Sequence, residues 1–333
     1  MQLQPPYLLF LGDARDPFAI KLARGVVDWR PELAIGEYCL PECQITTGLE
    51  QLSISQAKAK GAKSLVLGLA NSGGTIQDNW LATIRAAIAA GLDIISGMHQ
   101  ALNAMPELVA LAKEHGVALH DIRHPKQRFN TGTGEPRSGK RLLAVGTDCS
   151  AGKMYTTLAI QRELAKQRPC TFRATGQSGI LIAGEGVAID CVVADFISGA
   201  VESLSPDNAD DHWDIIEGQG SLFHPAFAGV SLGLLHGAQA DALVLCHVEG
   251  RESMRGLANQ PLPDIATTMA FNLQAARLTN PNAQFVGISV NTSSLDDAAA
   301  QAICAKYAAE HNLPVVDPLR HGVAPIIENI CAI

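Results

Sequence analysis

A glycine-rich loop that ends in a lysine, at residues 146–153, is the segment of this sequence that most clearly indicates chemistry. It reads Gly-Thr-Asp-Cys-Ser-Ala-Gly-Lys and lies between an apolar run and a helical pattern. In such a turn, backbone N–H groups and the positive end of the helix dipole point to one spot, and the lysine adds a full positive charge. The segment therefore predicts a binding site for phosphate oxygens. The residues expected to hold the phosphates are Gly146, Thr147, Asp148, Cys149, Ser150, Ala151, Gly152, Lys153 and Met154.

This loop is a variant of the P-loop, because five residues separate its first glycine from Gly-Lys where the common motif has four. Met154 stands where nucleotide triphosphatases place a Ser or Thr hydroxyl on Mg²⁺. A thioether is a poor Mg²⁺ ligand, and the next hydroxyls, Thr156 and Thr157, point elsewhere around the helix. The sequence thus favours a ligand that keeps its phosphates, such as coenzyme A, with no metal. The alternative is an ordinary strand-to-helix turn with a surface lysine.

Three acid–base residues are candidates for catalysis. Glu217 follows an apolar run and begins Glu-Gly-Gln-Gly-Ser, and Asp195 closes a predicted strand over 190–196. Because open α/β sheets bind ligands at the carboxyl ends of their strands, either carboxylate could serve as a general base, and Glu217 also as an ammonium anchor or metal ligand. Both could instead cap a turn or a helix. His224 is the third candidate, with structural hydrogen bonding as its alternative role.

Five further residues are candidates for substrate binding. Arg251 and Arg255 follow another apolar run, and a helical spacing of four residues would place both guanidinium groups on one face, suited to a dicarboxylate. A solvated, salt-bridged turn is the alternative. Gln177 and Ser178 in Thr-Gly-Gln-Ser-Gly, and Asn71 in Asn-Ser-Gly-Gly-Thr, also follow predicted strands. These side chains could donate hydrogen bonds to a substrate or simply belong to glycine-rich turns.

Parallel sheets are needed to position these segments, and the chain alternates short apolar runs with helical patterns throughout. Residues 1–122 are predicted to form one α/β domain, including a helix from Pro106 to His115. Residues 123–140, rich in Pro, Gly and basic side chains, are predicted to be a linker. A second α/β domain then covers 141–333.

Composition excludes several classes of protein. With 47% hydrophobic and 17% charged residues, the 333-residue chain is globular, and a net charge of −8 disfavours general binding to nucleic acid. The beginning of the sequence lacks the pattern of a secretory signal, and no apolar run is long enough to span a bilayer. Eight dispersed cysteines without CxxC indicate a reducing compartment. We therefore expect a cytoplasmic protein without nucleic-acid or membrane partners.

Other common sites are disfavoured by spacing. The pairs Cys39/Cys43 and His120/His124 have ligand-like spacing, but no companion pair stands at zinc-finger distance. A nucleophile elbow of the form G-x-S-x-G is absent, which disfavours a serine hydrolase. The first predicted strand is followed by Gly-Asp without GxGxxG, so a dinucleotide-binding Rossmann domain is also disfavoured.

Four segments taken together resemble the bacterial D-glutamate N-acetyltransferase family. They are the loop 146–154, Thr-Gly-Gln-Ser-Gly at 175–179, Asp-Phe-Ile-Ser-Gly-Ala-Val-Glu at 195–202 and Glu-Gly-Gln-Gly-Ser at 217–221. The resemblance implies an α/β fold in which a Rossmann-like N-terminal domain precedes a P-loop NTPase-like parallel-sheet domain. It also implies transfer of acetyl from acetyl-CoA to the amino group of D-glutamate. We further expect a homo-oligomer.

For such a transfer, the chemistry of the residues and their predicted place at strand ends suggest that Asp195 or Glu217 removes a proton from the substrate ammonium, and the amine attacks the thioester. Arg251 and Arg255 would bind the two substrate carboxylates. Backbone N–H groups of 218–221 or 177–179 would stabilise the oxyanion, a role worth on the order of 3 kcal/mol per donor.

Two alternatives remain. The loop alone is similar to that of dethiobiotin synthetase, so an ATP-dependent ligase or kinase acting on a small carboxylate would release ADP or phosphate with Mg²⁺. A nucleotide sensor would bind without turnover, although several polar strand ends argue for an enzyme.

Overall fold

The computed structural model describes residues 3–71 and 73–333. The regular elements of the first 126 residues are, in chain order, β1 (Tyr7–Gly12), α1 (Lys21–Trp29), β2 (Ala34–Cys39), α2 (Ile54–Ala59), β3 (Ser64–Leu67), α3 (Asp78–Ala89), β4 (Asp93–Ser96), α4 (Pro106–His115) and β5 (Leu119–Asp121). Those that follow are β6 (Lys140–Gly146), α5 (Lys153–Leu164), β7 (Cys170–Arg173), α6 (Gln177–Ala183), α7 (Ile197–Leu204), β8 (Trp213–Ile216), α8 (Ala228–Ala238), β9 (Ala242–Val248), β10 (Ser253–Met254), β11 (Leu257–Pro261), α9 (Ile265–Ala276), β12 (Gln284–Asn291), α10 (Asp297–His311), β13 (Val315–Val316) and α11 (Ala324–Cys331).

Contacts divide the chain into two units. The first runs to Lys126 and also includes Gly176–Cys191, and the second comprises Gln127–Thr175 and Val192–Ile333. The predicted α/β class is confirmed, since each unit is built on a parallel sheet with helices. Among the described residues, no helix is long and apolar enough to cross a membrane.

The first unit is a five-stranded parallel sheet in the order β2-β1-β3-β4-β5. All six residues of β1 are buried, as expected for a parallel strand that is covered on both faces. Helix α4 begins and ends where the sequence predicts. Pro106 lies in its first turn, and Gly116 stops it with a φ of 65°, in the left-handed region that glycine tolerates best.

Residues 176–191 lie in the first unit, although they belong to the part of the sequence that we assigned to the second domain. Helix α6 of this segment contacts α1, where the guanidinium of Arg30 donates to the carbonyl oxygen of Ile182 over 3.1 Å. The predicted strand over 190–196 is wrong. This stretch forms two short 3₁₀ helices, Ile189–Cys191 and Ala194–Phe196, because the chain passes from the first unit to the second here and pairs with no strand.

The second unit contains a six-stranded parallel sheet in the order β13-β12-β9-β6-β8-β7. Strand β6 is central and pairs with β9 on one side and β8 on the other. Its apolar residues are buried on both faces, which fixes it inside the sheet. The carboxyl ends of β6 and β8 are therefore neighbours, so the loop after Gly146 and the segment after Ile216 come together.

The predicted linker is held against the second unit from its middle onward. Arg137 donates to the carbonyl oxygens of Glu202, Ser205 and Gly237 at distances of 3.0, 3.0 and 2.6 Å. Burial of this guanidinium lowers the pKa of Arg137 to about 10. The carboxylate of Glu202 in turn accepts hydrogen bonds from the backbone N–H of Thr133.

Candidate active site

The predicted phosphate loop connects the central strand β6 to the 12-residue helix α5. Ser150 and Gly152 have φ values of 50° and 96°, so the backbone turns through the left-handed region twice within the loop. Gly152 directly precedes the helix and allows this conformation without strain from a side chain. The loop thus reaches the helix N-terminus in the way that an anion-binding turn requires.

Lys153 lies at the centre of this loop. Its ammonium donates to the carbonyl oxygens of Asp148 and Gly220 at 2.9 and 2.8 Å, and the residue is only 6% exposed. Burial lowers the pKa of Lys153 below its ordinary value of 10.5, while nearby thiols and the carboxylates of Asp148 and Glu217 act in the opposite direction. The cation is therefore fixed between the phosphate loop and the loop that follows β8.

Asp148 is a fully buried carboxylate within the phosphate loop. One oxygen accepts from the backbone N–H of Cys149 at 2.6 Å, and the other accepts from the guanidinium of Arg251 at 2.8 Å and the N–H of Arg255 at 2.9 Å. Arg251 also donates to the carbonyl oxygens of Cys149 and Ser150. Arg251 thus ties the phosphate loop to the segment that follows β9.

The expected helical pairing of Arg251 and Arg255 is wrong. Strands β10 and β11 form an antiparallel hairpin here, and Arg255 lies in its turn. The short strands and Gly256, whose φ is 79°, favour a tight turn over a helix. The guanidinium of Arg251 is directed to the loop, where it neutralises Asp148.

Glu217 is 5% exposed and directly follows β8. Its carboxylate accepts from the backbone N–H of Thr175 at 2.9 Å, and its carbonyl oxygen accepts from the Thr175 hydroxyl at 2.7 Å. Gly218 lies directly against β6, because a Cβ atom built there would be 1.7 Å from the carbonyl oxygen of Ala144. The same atom would be 2.8 Å from Cδ of Lys153, so Gly218 lies against the lysine stem, and the neighbouring carboxylate of Glu217 acts electrostatically on the ammonium.

The other two predicted acid–base residues have different surroundings. His224 is 2% exposed, its Nδ1 accepts from the N–H of Ala226 at 3.2 Å, and its Nε2 lies 3.2 Å from the carbonyl oxygen of Arg255. Since a carbonyl oxygen only accepts, Nε2 is the donor in this contact. His224 therefore supports the hairpin turn. Asp195 is exposed in a 3₁₀ helix and does not lie at a strand end.

The remaining predicted substrate residues lie in the first unit. Gln177 and Ser178 begin α6, and the Gln177 amide can donate to the carbonyl oxygen of Gly97 at 2.6 Å and accept from Arg123 at 3.1 Å. Asn71 closes its own loop, with hydrogen bonds of 2.8 and 3.0 Å to the backbone of Thr75. Ser72 of the same motif is outside the described residues.

Three atoms of the types that bind metals lie close together at the loop. They belong to Asp148, Cys149 and His224 and are within 4.8 Å of one another. The charges around them suit an anion better than a cation, because Arg251 already pairs with Asp148 and Lys153 lies in the same loop. Both nitrogens of His224 are also engaged in hydrogen bonds.

Two residues that shape the site were not among the predicted site residues, although Thr175 begins the predicted segment 175–179. His247 lies near the carboxyl end of β9, and its Nδ1 is 3.1 Å from the Thr147 hydroxyl. Thr175 orients Glu217 and also accepts from the amide of Gln219 at 3.1 Å. Both lie at or just after the carboxyl ends of strands, which is the signal that could have identified them.

Comparison with known proteins agrees with this architecture. Residues 128–327 match the family described as a domain of unknown function (DUF1611_C) P-loop domain, and residues 41–125 match the DUF1611_N Rossmann-like domain. A protein named D-glutamate N-acetyltransferase from Pseudoalteromonas sp. is 57% identical over 99% of this chain and 100% of its own length. A second protein of that name, from Tritonibacter scottomollicae, is 48% identical with the same coverage.

A solved structure also matches nearly the whole chain. The crystal structure of a DUF1611 family protein from Anabaena variabilis has a TM-score of 0.90 and 27% identity, covering 99% of this chain and 100% of that one. The resemblance seen in the four sequence segments and the predicted order of a Rossmann-like and a P-loop domain are thereby confirmed. The chain belongs to the DUF1611 family.

Proposed function

We propose that this chain is a D-glutamate N-acetyltransferase and that its acetyl donor is acetyl-CoA. The names of the relatives at 57% and 48% identity support the reaction and the amino-acid substrate. The observation that carries the choice of donor is the loop itself, in which Lys153 supplies a phosphate-binding cation while Met154 occupies the usual Mg²⁺-ligand position. Such a loop suits a carrier whose phosphates take no part in the reaction.

The donor phosphates would bind at the N-terminus of α5. Lys153 and the helix dipole contribute positive charge there, and Arg251 cancels the negative charge of Asp148. The guanidinium of Arg251 is engaged in the loop, so we assign it to loop geometry rather than to the substrate carboxylates.

Glu217 is the residue that we propose as the general base. It is buried beside Lys153, and the backbone N–H of Thr175 fixes the orientation of its carboxylate. The carboxylate would take a proton from the ammonium of D-glutamate, because only the neutral amine has a free electron pair for attack. The amine nitrogen then bonds to the thioester carbon, the carbon–sulfur bond breaks, and coenzyme A leaves as a thiolate that recovers a proton.

The oxyanion formed during this attack needs hydrogen-bond donors. We propose the backbone N–H groups of the segment after Glu217, where Gly220 has a φ of 64° and the chain turns sharply. Donors of this kind contribute on the order of 3 kcal/mol each in enzymes of known mechanism.

Two experiments test the proposal. Acetyl-CoA and D-glutamate are incubated with the protein, and mass spectrometry detects N-acetylglutamate, with L-glutamate and other D-amino acids as parallel substrates. Calorimetry compares acetyl-CoA, coenzyme A and MgATP as ligands. Acetylated D-glutamate together with binding of coenzyme A supports the assignment, whereas Mg²⁺-dependent release of ADP would establish an ATP-dependent enzyme instead.

We further propose that the enzyme acts in the cytoplasm as a homo-oligomer, with a small-molecule substrate and without nucleic-acid or membrane partners. All eight cysteines are free thiols, which supports a reducing compartment. Multi-angle light scattering of the purified chain tests the oligomeric state.

A further inference from the structure

A partly exposed aromatic surface lies beside the phosphate loop in the second unit. It consists of the exposed Phe227 and Phe271 and the half-buried Phe223, and we call it the aromatic patch. We propose that the aromatic patch binds the pantetheine arm of the acetyl donor. This inference rests on the proposed function, because it takes coenzyme A as the carrier.

The patch is joined to the phosphate loop through Gly220. The carbonyl oxygen of Gly220 accepts from the ammonium of Lys153 at 2.8 Å. A Cβ atom built on Gly220 would be 3.1 Å from Cβ of Phe227 and 2.9 Å from its carbonyl oxygen. Gly220 therefore contacts both the Lys153 ammonium and Phe227 of the aromatic patch.

The rings are accessible but held in place. Phe227 is 45% exposed and Phe271 is 54% exposed. The ring of Phe227 contacts the imidazole of His224 with centroids 4.6 Å apart and an interplanar angle of 32°, and Phe271 contacts Phe223 with centroids 5.4 Å apart. His224 is itself fixed by two hydrogen bonds, so the aromatic surface is prepared before a ligand arrives.

The helices that carry this surface are uncharged. Phe227 directly precedes α8 and Phe271 belongs to α9, and these helices of 11 and 12 residues contain no Asp, Glu, Lys or Arg. Exposed helices normally carry charges on their outer face. Coenzyme A has the complementary distribution, because its phosphates are anionic and its pantetheine arm is neutral and partly apolar. A cationic loop followed by an uncharged aromatic surface matches that order.

The test separates the arm from the phosphates. Binding of coenzyme A is compared by calorimetry with binding of 3′-phosphoadenosine 5′-diphosphate, which is coenzyme A without its pantetheine arm. We expect Phe227→Ala to weaken coenzyme A binding roughly tenfold, the effect of losing the contact with about half a phenyl side chain. The same variant should bind the truncated ligand as the parent does. Phe271→Ala should show the same selectivity.

Two controls accompany the variants. Leu278→Ala removes an apolar side chain that is 74% exposed just after α9, and it should leave both affinities unchanged. Lys153→Ala should lower the affinity for both ligands by the same factor. Thermal unfolding of each variant confirms that it folds.

The outcomes distinguish the two proposals. If the parent protein binds neither coenzyme A nor the truncated ligand, the proposed donor is wrong. If the parent binds both, but Phe227→Ala weakens them equally or neither, the assignment of the aromatic patch is overturned. It is also overturned if the Phe variants dissociate an oligomer and leave coenzyme A binding intact, since the patch would then bind a second copy.

Discussion

The ion pair between Asp148 and Arg251 should control both the stability of the second unit and its affinity for phosphates. Asp148 is completely buried, and the Arg251 side chain is 19% exposed. Replacing Arg251 by Met keeps most of the side-chain volume and removes the charge. The carboxylate would still accept from the backbone N–H groups of Cys149 and Arg255 but would lose its guanidinium partner.

Breaking a buried ion pair by removing one partner typically costs about 3–5 kcal/mol, because the other charge stays buried. We expect a loss of about 3 kcal/mol for Arg251→Met, at the low end because the guanidinium is partly solvated. The uncompensated carboxylate would also repel the phosphates, so coenzyme A should bind about a hundredfold more weakly. Asp148→Asn in the same chain removes that repulsion. The double variant should recover at least about tenfold in affinity, with a coupling free energy of about 2 kcal/mol.

Urea unfolding followed by tryptophan fluorescence measures the stability, to which the buried Trp213 of β8 reports from the second unit. Calorimetry with coenzyme A measures the affinity. Arg85→Met is the matched control, because Arg85 pairs with Glu107 on the surface, where side chains are 45% and 53% exposed, and such pairs contribute less than about 1 kcal/mol. Additive effects of the Asp148 and Arg251 substitutions would refute the reasoning.

Three further predictions concern the phosphate loop and the segment after β8 that packs against it. Burial lowers the pKa of Lys153, so its ammonium loses its proton at a pH lower than 10.5 as the pH is raised, and the affinity for coenzyme A should decrease over that rise. Calorimetry from pH 7 upward checks this. A Lys153→Arg variant should keep its affinity over the same range. Acetyl transfer should be insensitive to EDTA, whereas Met154→Thr restores the hydroxyl of ordinary P-loops and should make ATP binding stronger with Mg²⁺ than without it. Gly218→Ala should abolish soluble expression or activity, since its Cβ would lie 1.7 Å from a backbone oxygen of β6, while Gly229→Ala, with open space around it, should be tolerated in the same assays.

Local signals in the sequence were sufficient for elements whose pattern is unambiguous. Pro106–His115 has a proline at its start and a glycine after its end, and the apolar strands Asp93–Ser96 and Ala242–Val248 are bounded by polar residues. The strand–loop–helix order around 146–153 was likewise predictable, because each part has its own period and composition.

Those local signals could not predict contacts between segments that are distant in the sequence. Arg251 contacts Asp148 across 103 residues, whereas its own segment fitted either a helix with paired guanidinium groups or a salt-bridged turn and did not indicate this partner. The apolar residues within 190–196 resembled a strand, but they lie where the chain changes unit, so no neighbouring strand is present to pair with them. The place of α6 in the first unit depends on its contact with α1, and such tertiary contacts override local propensity.

A carboxylate inside a phosphate-binding loop would ordinarily oppose the ligand, and the contacts of Asp148 explain how it is accommodated. Its two oxygens accept from the loop and from the hairpin, so the carboxylate joins these segments while Arg251 cancels its charge. His224 extends the connection, because it hydrogen-bonds to the carbonyl oxygen of Arg255 in the hairpin and its ring contacts that of Phe227. A ligand with its phosphates at the loop and its arm at Phe227 would therefore contact both ends of one connected set of residues.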